Sequence, residues 1–460
     1  MDDVVVVDTG VANLASLTGA FRGLDVPARV TDDPAVVRAA SRLVLPGVGA
    51  FGPAAARLAA RGLDHAVRGA ARRDVPLLAV CLGLQLLCEA SDEAPGTPGL
   101  GIIAGACRRL SGAVRVPHLG WNRVEPERDA RWLAAGEAAF ANSYALPVAP
   151  RGWIPAWSVH GAPFVAGLER GNVLACQFHP ELSGAYGASL LARWLGAAAA
   201  PPRSGPARAS GLLSRLVACL DVRDGRVVKG VRFQRLRDAG EPADRAACYE
   251  HQGADEIVIL DVAASPAGRD AQIETVRRVR AAVRLPLTVG GGVRSVADAG
   301  RLLAAGADKV SVNTAAVGDP GLLDRLAATF GTQCVVLAVD ARRAGDGWEA
   351  LVLGGAAAGR PDAVAWMTEG QARGAGEMLL TSWDQDGTGE GPDLALLGAA
   401  AAAVRVPVVA SGGIGSAGHA AAALRAGADA VLVASALHDG GQTVATLKHE
   451  LAAFGIAVRR

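Results

Sequence analysis

The sequence predicts an α/β protein: a doubly wound sheet followed by a (β/α)8 barrel with an internal twofold repeat. Three observations point there. Short apolar strands alternate with Ala- and Leu-rich helices over nearly the whole chain, and βα alternation implies parallel sheets. The segment Leu287-Thr288-Val289-Gly290-Gly291-Gly292-Val293 returns 121 residues later as Val408-Val409-Ala410-Ser411-Gly412-Gly413-Ile414. At that same spacing Ala305-Gly306-Ala307-Asp308 returns as Ala426-Gly427-Ala428-Asp429, and Asn313-Thr314 aligns with Ala434-Ser435. Finally, a low-complexity stretch, Ala197 to Pro206, divides the chain in two.

Taken in order, the first part reads as Val4–Val7 strand, Ala12–Gly23 helix, Ala28–Thr31 strand, Arg42–Leu45 strand, Ala54–Ala71 helix, Leu77–Val80 strand and Leu82–Ala90 helix, with a more β-rich middle from Val114 to Pro180. Pro, Gly and Ser without apolar periodicity mark a linker. The expected division is therefore residues 1–198, a linker at 199–211, and residues 212–460. About 250 residues made of two βα-repeat halves fit a closed barrel, and the first domain fits an open doubly wound sheet. The polar run from Arg223 to Glu241 is expected as a long loop, either a lid or a mobile connection.

With 460 residues, 51% hydrophobic and 20% charged, the chain has material for two or three packed domains. A net charge of +1 gives no field that would recruit nucleic acid or anionic lipid. Positive charge is nearly all arginine; Lys229, Lys309 and Lys448 are the only lysines. Seven scattered cysteines without a Cys-x-x-Cys pair argue against a disulfide framework or a zinc ribbon, and for a reducing cytosol. Neither the start of the chain nor the Ala-rich run Leu394–Val404 reads as a signal peptide or a membrane span. The expected location is the cytoplasm, with no metal and no cofactor.

Leu77-Leu78-Ala79-Val80-Cys81-Leu82-Gly83-Leu84-Gln85 reads as a buried strand turning sharply into a helix at Cys81. A thiol on such a turn is exposed and faces a helix N-terminus, which favours the thiolate. A lone cysteine on an apolar strand also fits a plain core residue, and this segment alone does not separate the two. Gln177-Phe178-His179-Pro180-Glu181 tips the balance, because a His with a carboxylate two residues on supplies a base and its orienting partner. Leu45-Pro46-Gly47-Val48-Gly49 adds a Gly-rich turn whose backbone N–H groups can face an oxyanion.

In this order and spacing the three segments resemble the class I glutamine amidotransferases, most closely the glutaminase subunits of the imidazole glycerol phosphate synthase family. Asp8-Thr9-Gly10-Val11-Ala12-Asn13-Leu14 and Pro117-His118-Leu119-Gly120-Trp121-Asn122 support the match, which covers almost all of residues 3–196. The resemblance implies that Cys81 attacks the glutamine carboxamide, His179 moves the proton, Glu181 orients His179, and Gln85 helps to hold substrate. Val48, Gly49 and Leu82 would supply the oxyanion hole. Three positions depart from the family pattern: Ala79 replaces a Gly, Asn142 stands where His is common, and Leu182 where Lys often sits.

In the second domain Asp221 ends the first apolar strand, and Asp340 ends the strand that opens the second half. Barrel active sites lie where strands end; an aspartate there also suits a helix cap. Their pairing with two glycine turns favours a general acid/base pair. Glycines without a Cβ let backbone N–H groups surround an anion, so two such turns suggest a ligand with two phosphates. Lys229 follows the first strand, within reach of a phosphate.

Cys219–Gly230, Leu285–Gly292 and Leu379–Thr388 resemble the cyclase subunits of the same synthase family, over about residues 214–460. By that resemblance Asp221 and Asp340 are catalytic. One phosphate would bind at Gly292, Asn313 and Thr314, the other at Gly387, Gly413, Ala434 and Ser435, with Asp386 near the second. The related phosphoribosyl isomerases share the barrel, the repeat and the aspartate pair; Lys229 and the form of Thr381–Thr388 favour the cyclase.

Arg215, Glu256, Lys309 and Glu377 precede or open four predicted strands. Singly each suits a solvated surface; together they can close the barrel's bottom, and in the cyclase family the matching charges gate the entry of ammonia. The expectation is a bifunctional enzyme with glutamine and a bis-phosphorylated ribotide as substrates, both usual subunits lying on one chain. The competing reading is a barrel isomerase fused to an amidotransferase that serves another acceptor.

Overall fold

Four consecutive valines, Val4–Val7, form a strand with every side chain buried, since branched side chains suit a pleated strand covered on both faces. It is second in a sheet ordered Ala28–Thr31, Val4–Val7, Leu43–Leu45, Leu77–Val80, Val173–Cys176, Ala162–Arg170, Ile154–His160, His118–Pro126, Gly136–Asn142. The first five strands are parallel, and the β-rich middle adds four antiparallel ones. Alternation splits the valines between two cores. Val5 and Val7 pack with Leu43, Leu45 and Phe51, whereas Val4 and Val6 pack with Val44, Leu78 and Phe178.

The computed structural model describes residues 3–10, 14–200, 211–231, 234–262, 269–438 and 441–460. The chain falls into two compact units, Met1–Leu212 with Thr329–Gly331, and Leu213–Ala328 with Thr332–Arg460. Residues 201–210, within the expected linker, lie outside the described residues. Among the described residues no helix is long and apolar enough to cross a membrane.

The second unit is the expected closed barrel. Its eight strands are Arg215–Arg223, Glu256–Asp261, Leu287–Gly290, Lys309–Val312, Val335–Ala344, Glu377–Ser382, Val408–Ser411 and Ala430–Val433, each parallel to the next. The last pairs with the first in the register Arg215↔Ala430 and Val217↔Leu432, which leaves no edge.

A short motif fixes several of these strands. Asp308 Oδ2 accepts the N–H of Leu287 at 2.9 Å, and Asp308 N–H donates to the Leu287 carbonyl. Asp429 repeats both bonds with Val408, and Asp255 repeats both with Leu216. Each aspartate ends a Gly-Ala-Asp sequence, so a smaller repeat lies inside the 121-residue one.

Three expected elements differ. The helix expected over Ala54–Ala71 is two, Phe51–Ala60 and Leu63–Arg72, broken where Gly62 takes φ +66°. The helix after Cys81 stops at Leu87, because Cys88 is extended. The run Arg223–Glu241 is not a loop but a hairpin of strands Arg226–Val231 and Gln234–Gly240 on the end of the first barrel strand. Part of this was signalled: Asp224-Gly225, at φ +50° and +75°, makes the tight turn by which the first barrel strand folds back antiparallel into Arg226–Val231.

Candidate active sites

Cys81 sits between the strand Leu77–Val80 and the helix Leu82–Leu87 with φ +46° and ψ −104°, a strained conformation for a side-chain-bearing residue. The turn is held by close backbone packing. A Cβ on Gly47 would lie 1.8 Å from the Val80 carbonyl oxygen, and one on Gly83 would lie 2.2 Å from that of Leu45. The Gly47–Gly49 turn is thereby pressed against the nucleophile candidate. Leu82 N–H, an expected oxyanion donor, donates to the Gly47 carbonyl at 3.2 Å, so it is engaged within the protein.

His179 and Glu181 reach the same place from the end of the strand Val173–Cys176. His179 Nδ1 is 2.8 Å from Glu181 Oε1, which leaves Nε2 as the other titrating atom. Burial opposes a charge on His179, but the Cys81 sulfur and the Glu181 carboxylate outweigh it and raise the imidazole pKa well above its usual value. Such a histidine is poised to carry the thiol proton. Gln85 is buried, and its Nε2 donates to the Tyr144 carbonyl at 3.0 Å and to Gln177 Oε1 at 3.4 Å.

Two residues here were passed over in the sequence. Gln177 Nε2 donates to Cys81 Sγ at 3.5 Å, and Glu93 Oε2 accepts the N–H of Phe51, which opens the helix after the Gly47–Gly49 turn, at 3.2 Å. Burial pushes the Glu93 carboxyl up to about 7. Gln177 was legible as a neighbour of His179; nothing local in the sequence marks Glu93. Of the departures, Asn142 Nδ2 donates to the Tyr144 carbonyl at 3.1 Å, Ala79 is buried in its strand, and Leu182 is buried.

The barrel interior can be read by parity. Along the first strand Arg215, Val217, Cys219 and Asp221 share one face. Glu256, Val258 and Leu260 do so on the second, Lys309 and Ser311 on the fourth, and Glu377, Leu379 and Thr381 on the sixth. The starts of these strands carry charge, their middles carry the interior apolar cluster around Val217, Val258, Val336, Leu379 and Val409, and their ends open into a cavity of about 1320 Å³.

That cavity is lined by Asp221, Asp340 and Asp386, by Gly292, Asn313 and Thr314, and by Gly387, Gly413, Ala434 and Ser435. Every expected barrel residue whose side chain is described therefore faces one space, except the four charges at the strand starts. Lys229 falls in the hairpin strand Arg226–Val231, and its side chain lies outside the described residues. Burial, and then the Asp386 carboxylate, raise Asp221 to about 7 and Asp340 to about 6. Cys219 Sγ lies 3.7 Å from Asp221 Oδ1, and Asn313 Nδ2 donates to Asp340 Oδ2 at 3.1 Å. Both carboxyls are thereby brought toward neutrality, the range in which a carboxyl can give or take a proton in acid/base catalysis.

Six residues below Asp221, about 20 Å along the strand, the four charges close a buried ring. Arg215 reaches Glu256 at 2.8 Å and Glu377 at 2.5 Å, and Lys309 reaches the same two at 2.6 Å and 2.5 Å. Thr288 Oγ1 donates to Glu256 Oε1 at 2.6 Å. Burial raises the Glu256 pKa, but Lys309 and Arg215 outweigh it and leave the carboxyl ionised.

Residues 5–196 match the family model described as glutamine amidotransferase class-I, and residues 215–443 match that described as histidine biosynthesis protein. Three curated relatives carry the name imidazole glycerol phosphate synthase subunit HisF. That of Mycobacteroides abscessus is 54% identical over 253 residues, covering 54% of this chain and 98% of the relative. That of Mycobacterium tuberculosis is 55% identical over 258 residues, covering 55% and 97%. That of Myxococcus xanthus is 55% identical over 249 residues, covering 54% and 98%.

Proposed function

The chain belongs to the histidine-biosynthesis barrel family and carries a class I glutamine amidotransferase domain ahead of the barrel, and from that premise we propose that it is a bifunctional imidazole glycerol phosphate synthase. In the amidotransferase module, residues 1–198, the Cys81 thiolate attacks the glutamine carboxamide carbon after His179 has taken its proton. Val48, Gly49 and Leu82 offer backbone N–H groups to the oxyanion, which asks Leu82 to release the Gly47 carbonyl. His179 then protonates the leaving nitrogen, ammonia departs, and water hydrolyses the thioester to glutamate. Gln85 holds the substrate. Glu93, near neutral in its buried setting, is a counter-charge for an amino-acid ammonium group, which would restore its ionised form.

In the barrel module, residues 212–460, ammonia attacks a phosphoribulosyl-formimino aminoimidazole-carboxamide ribotide. Asp221 acts as the acid and Asp340 as the base; the ammonia nitrogen replaces the ribulosyl ketone oxygen, which leaves as water, the ring closes to imidazole glycerol phosphate and the aminoimidazole-carboxamide ribotide leaves. Asp386 contacts ligand, Lys229 reaches a phosphate, and the two glycine turns hold the two phosphates through backbone N–H groups. Arg215, Glu256, Lys309 and Glu377 gate the entry of ammonia at the barrel's bottom. Keeping the released nitrogen out of water preserves neutral ammonia, since ammonium is no nucleophile. No metal or cofactor has a role in this scheme.

The observation that carries the barrel reading is the convergence of both aspartates and both glycine turns on one cavity. Measuring glutamine hydrolysis with and without the bis-phosphate, together with product formation from ammonium salts, tests it. Ribotide isomerisation without nitrogen incorporation would replace the synthase by the isomerase reading.

A further inference from the structure

The two glycine turns share one backbone but not one rim. Gly291 and Gly292 have φ +92° and +71°, and their counterparts Gly412 and Gly413 have +96° and +77°. Ser295 caps the helix Val296–Ala305 at φ −152° and ψ 164°; Ser416 caps Ala417–Arg425 at −153° and 166°. An anion at either turn therefore meets equivalent N–H groups and an equivalent helix N-terminus, and those contributions do not distinguish the two ends of a ligand.

Besides Asn313 and its counterpart Ala434, the pair of positions two residues beyond each Gly-Gly turn distinguishes them, and there the difference is one of charge. Arg294 lines the cavity beside the first turn, and the position 121 residues on is Gly415. Nothing larger fits at Gly415, because a Cβ there would lie 2.7 Å from the Gly389 carbonyl oxygen. Among the described residues that line the cavity, Arg294 is the only lysine or arginine, against the carboxyls of Asp221, Asp261, Asp340 and Asp386. A guanidinium adds a full charge and paired donors to a phosphate that backbone dipoles alone hold more weakly.

Building on the reading of this barrel as a bis-phosphate site, we infer that Arg294 is a specificity-determining residue. Its guanidinium pairs with the phosphate seated at Gly292, Asn313 and Thr314, so the two phosphates are held unequally. A cavity with pseudo-twofold walls thereby admits an unsymmetrical bis-phosphate in one orientation.

The test uses the full chain with ammonium salts as nitrogen source, so that glutamine hydrolysis does not enter. R294A is expected to raise KM for the bis-phosphate about tenfold or more, the loss of one charge-assisted pair, with kcat within about twofold. R294K is expected to fall between R294A and wild type. Calorimetric titration with inorganic phosphate should show a tighter and a weaker site in the wild type, with only the tighter weakened in R294A. Unchanged KM and unchanged phosphate affinity in R294A would overturn the inference. If the wild type turns over no bis-phosphate, the synthase reading fails, and the phosphate titration still decides the role of Arg294.

Discussion

Glu181 Oε1 lies 2.8 Å from His179 Nδ1, and both side chains are shut away from solvent. The contact fixes which imidazole nitrogen is left to serve the sulfur.

Glu181→Gln keeps the shape and removes the charge. Glutamine-dependent turnover is expected to fall by about 100-fold or more, and Cys81→Ala to abolish it. Ammonium-supported turnover should stay within about twofold in both variants. Steady-state rates with each nitrogen source check this; an equal loss with both sources refutes the assignment.

Asp340 titrates near 6 and Asp221 near 7. With Asp340 as base and Asp221 as acid, kcat/KM corrected for free ammonia should drop as pH falls through about 6. It should drop again as pH rises through about 7. Asp340→Asn should remove activity together with the acidic limb; a flat profile between pH 5 and 8 would contradict the pairing.

The same burial carries a cost in stability. A carboxyl whose pKa is raised from 3.8 to about 7 on folding is no burden below the unfolded value and destabilises increasingly as pH climbs toward 7. Asp221→Asn should therefore leave Tm nearly unchanged at pH 4 and raise it at pH 8. Thermal melts at the two pH values check the sign.

Glu377 neutralises both Arg215 and Lys309 inside the barrel. Glu377→Ala leaves an excess cation without water, and a loss of about 3–5 kcal/mol is expected. Denaturant unfolding followed by barrel fluorescence measures it; a loss below about 1 kcal/mol would mean that water reaches the ring.

In the first unit, buried Glu169 accepts the backbone N–H groups of Arg131, Trp132 and Leu133 at 2.7, 2.8 and 2.5 Å. Glu169→Ala orphans all three and should lower stability by about 3 kcal/mol, with little change in ammonium-supported turnover. Tm and that assay together check it.

Much of this was legible because it is local. Gly291-Gly292 and Gly412-Gly413 announce left-handed turns, since few other residues adopt them. Strand parity puts Arg215 and Asp221 on one face six residues apart. The same rules showed less where one or two residues redirect the chain: Gly62 splits a continuous Ala/Leu pattern into two helices, and Asp224-Gly225 folds the chain back from the first barrel strand into Arg226–Val231. Glu93 had no signal, because its partner, Phe51, lies 42 residues away.

By itself the sequence determined the order of strands and helices, the repeat, and the residue types at strand ends, all set by neighbours a few positions apart. Only the folded barrel decided that Arg215, Glu256, Lys309 and Glu377 meet in one ring rather than four surface pairs, and that burial raises both Asp221 and Asp340 toward neutrality. Charge and acidity depend on how much water and how many other charges lie within a few ångströms, and closing the barrel is what brings residues 215 and 377 together and drives the water out.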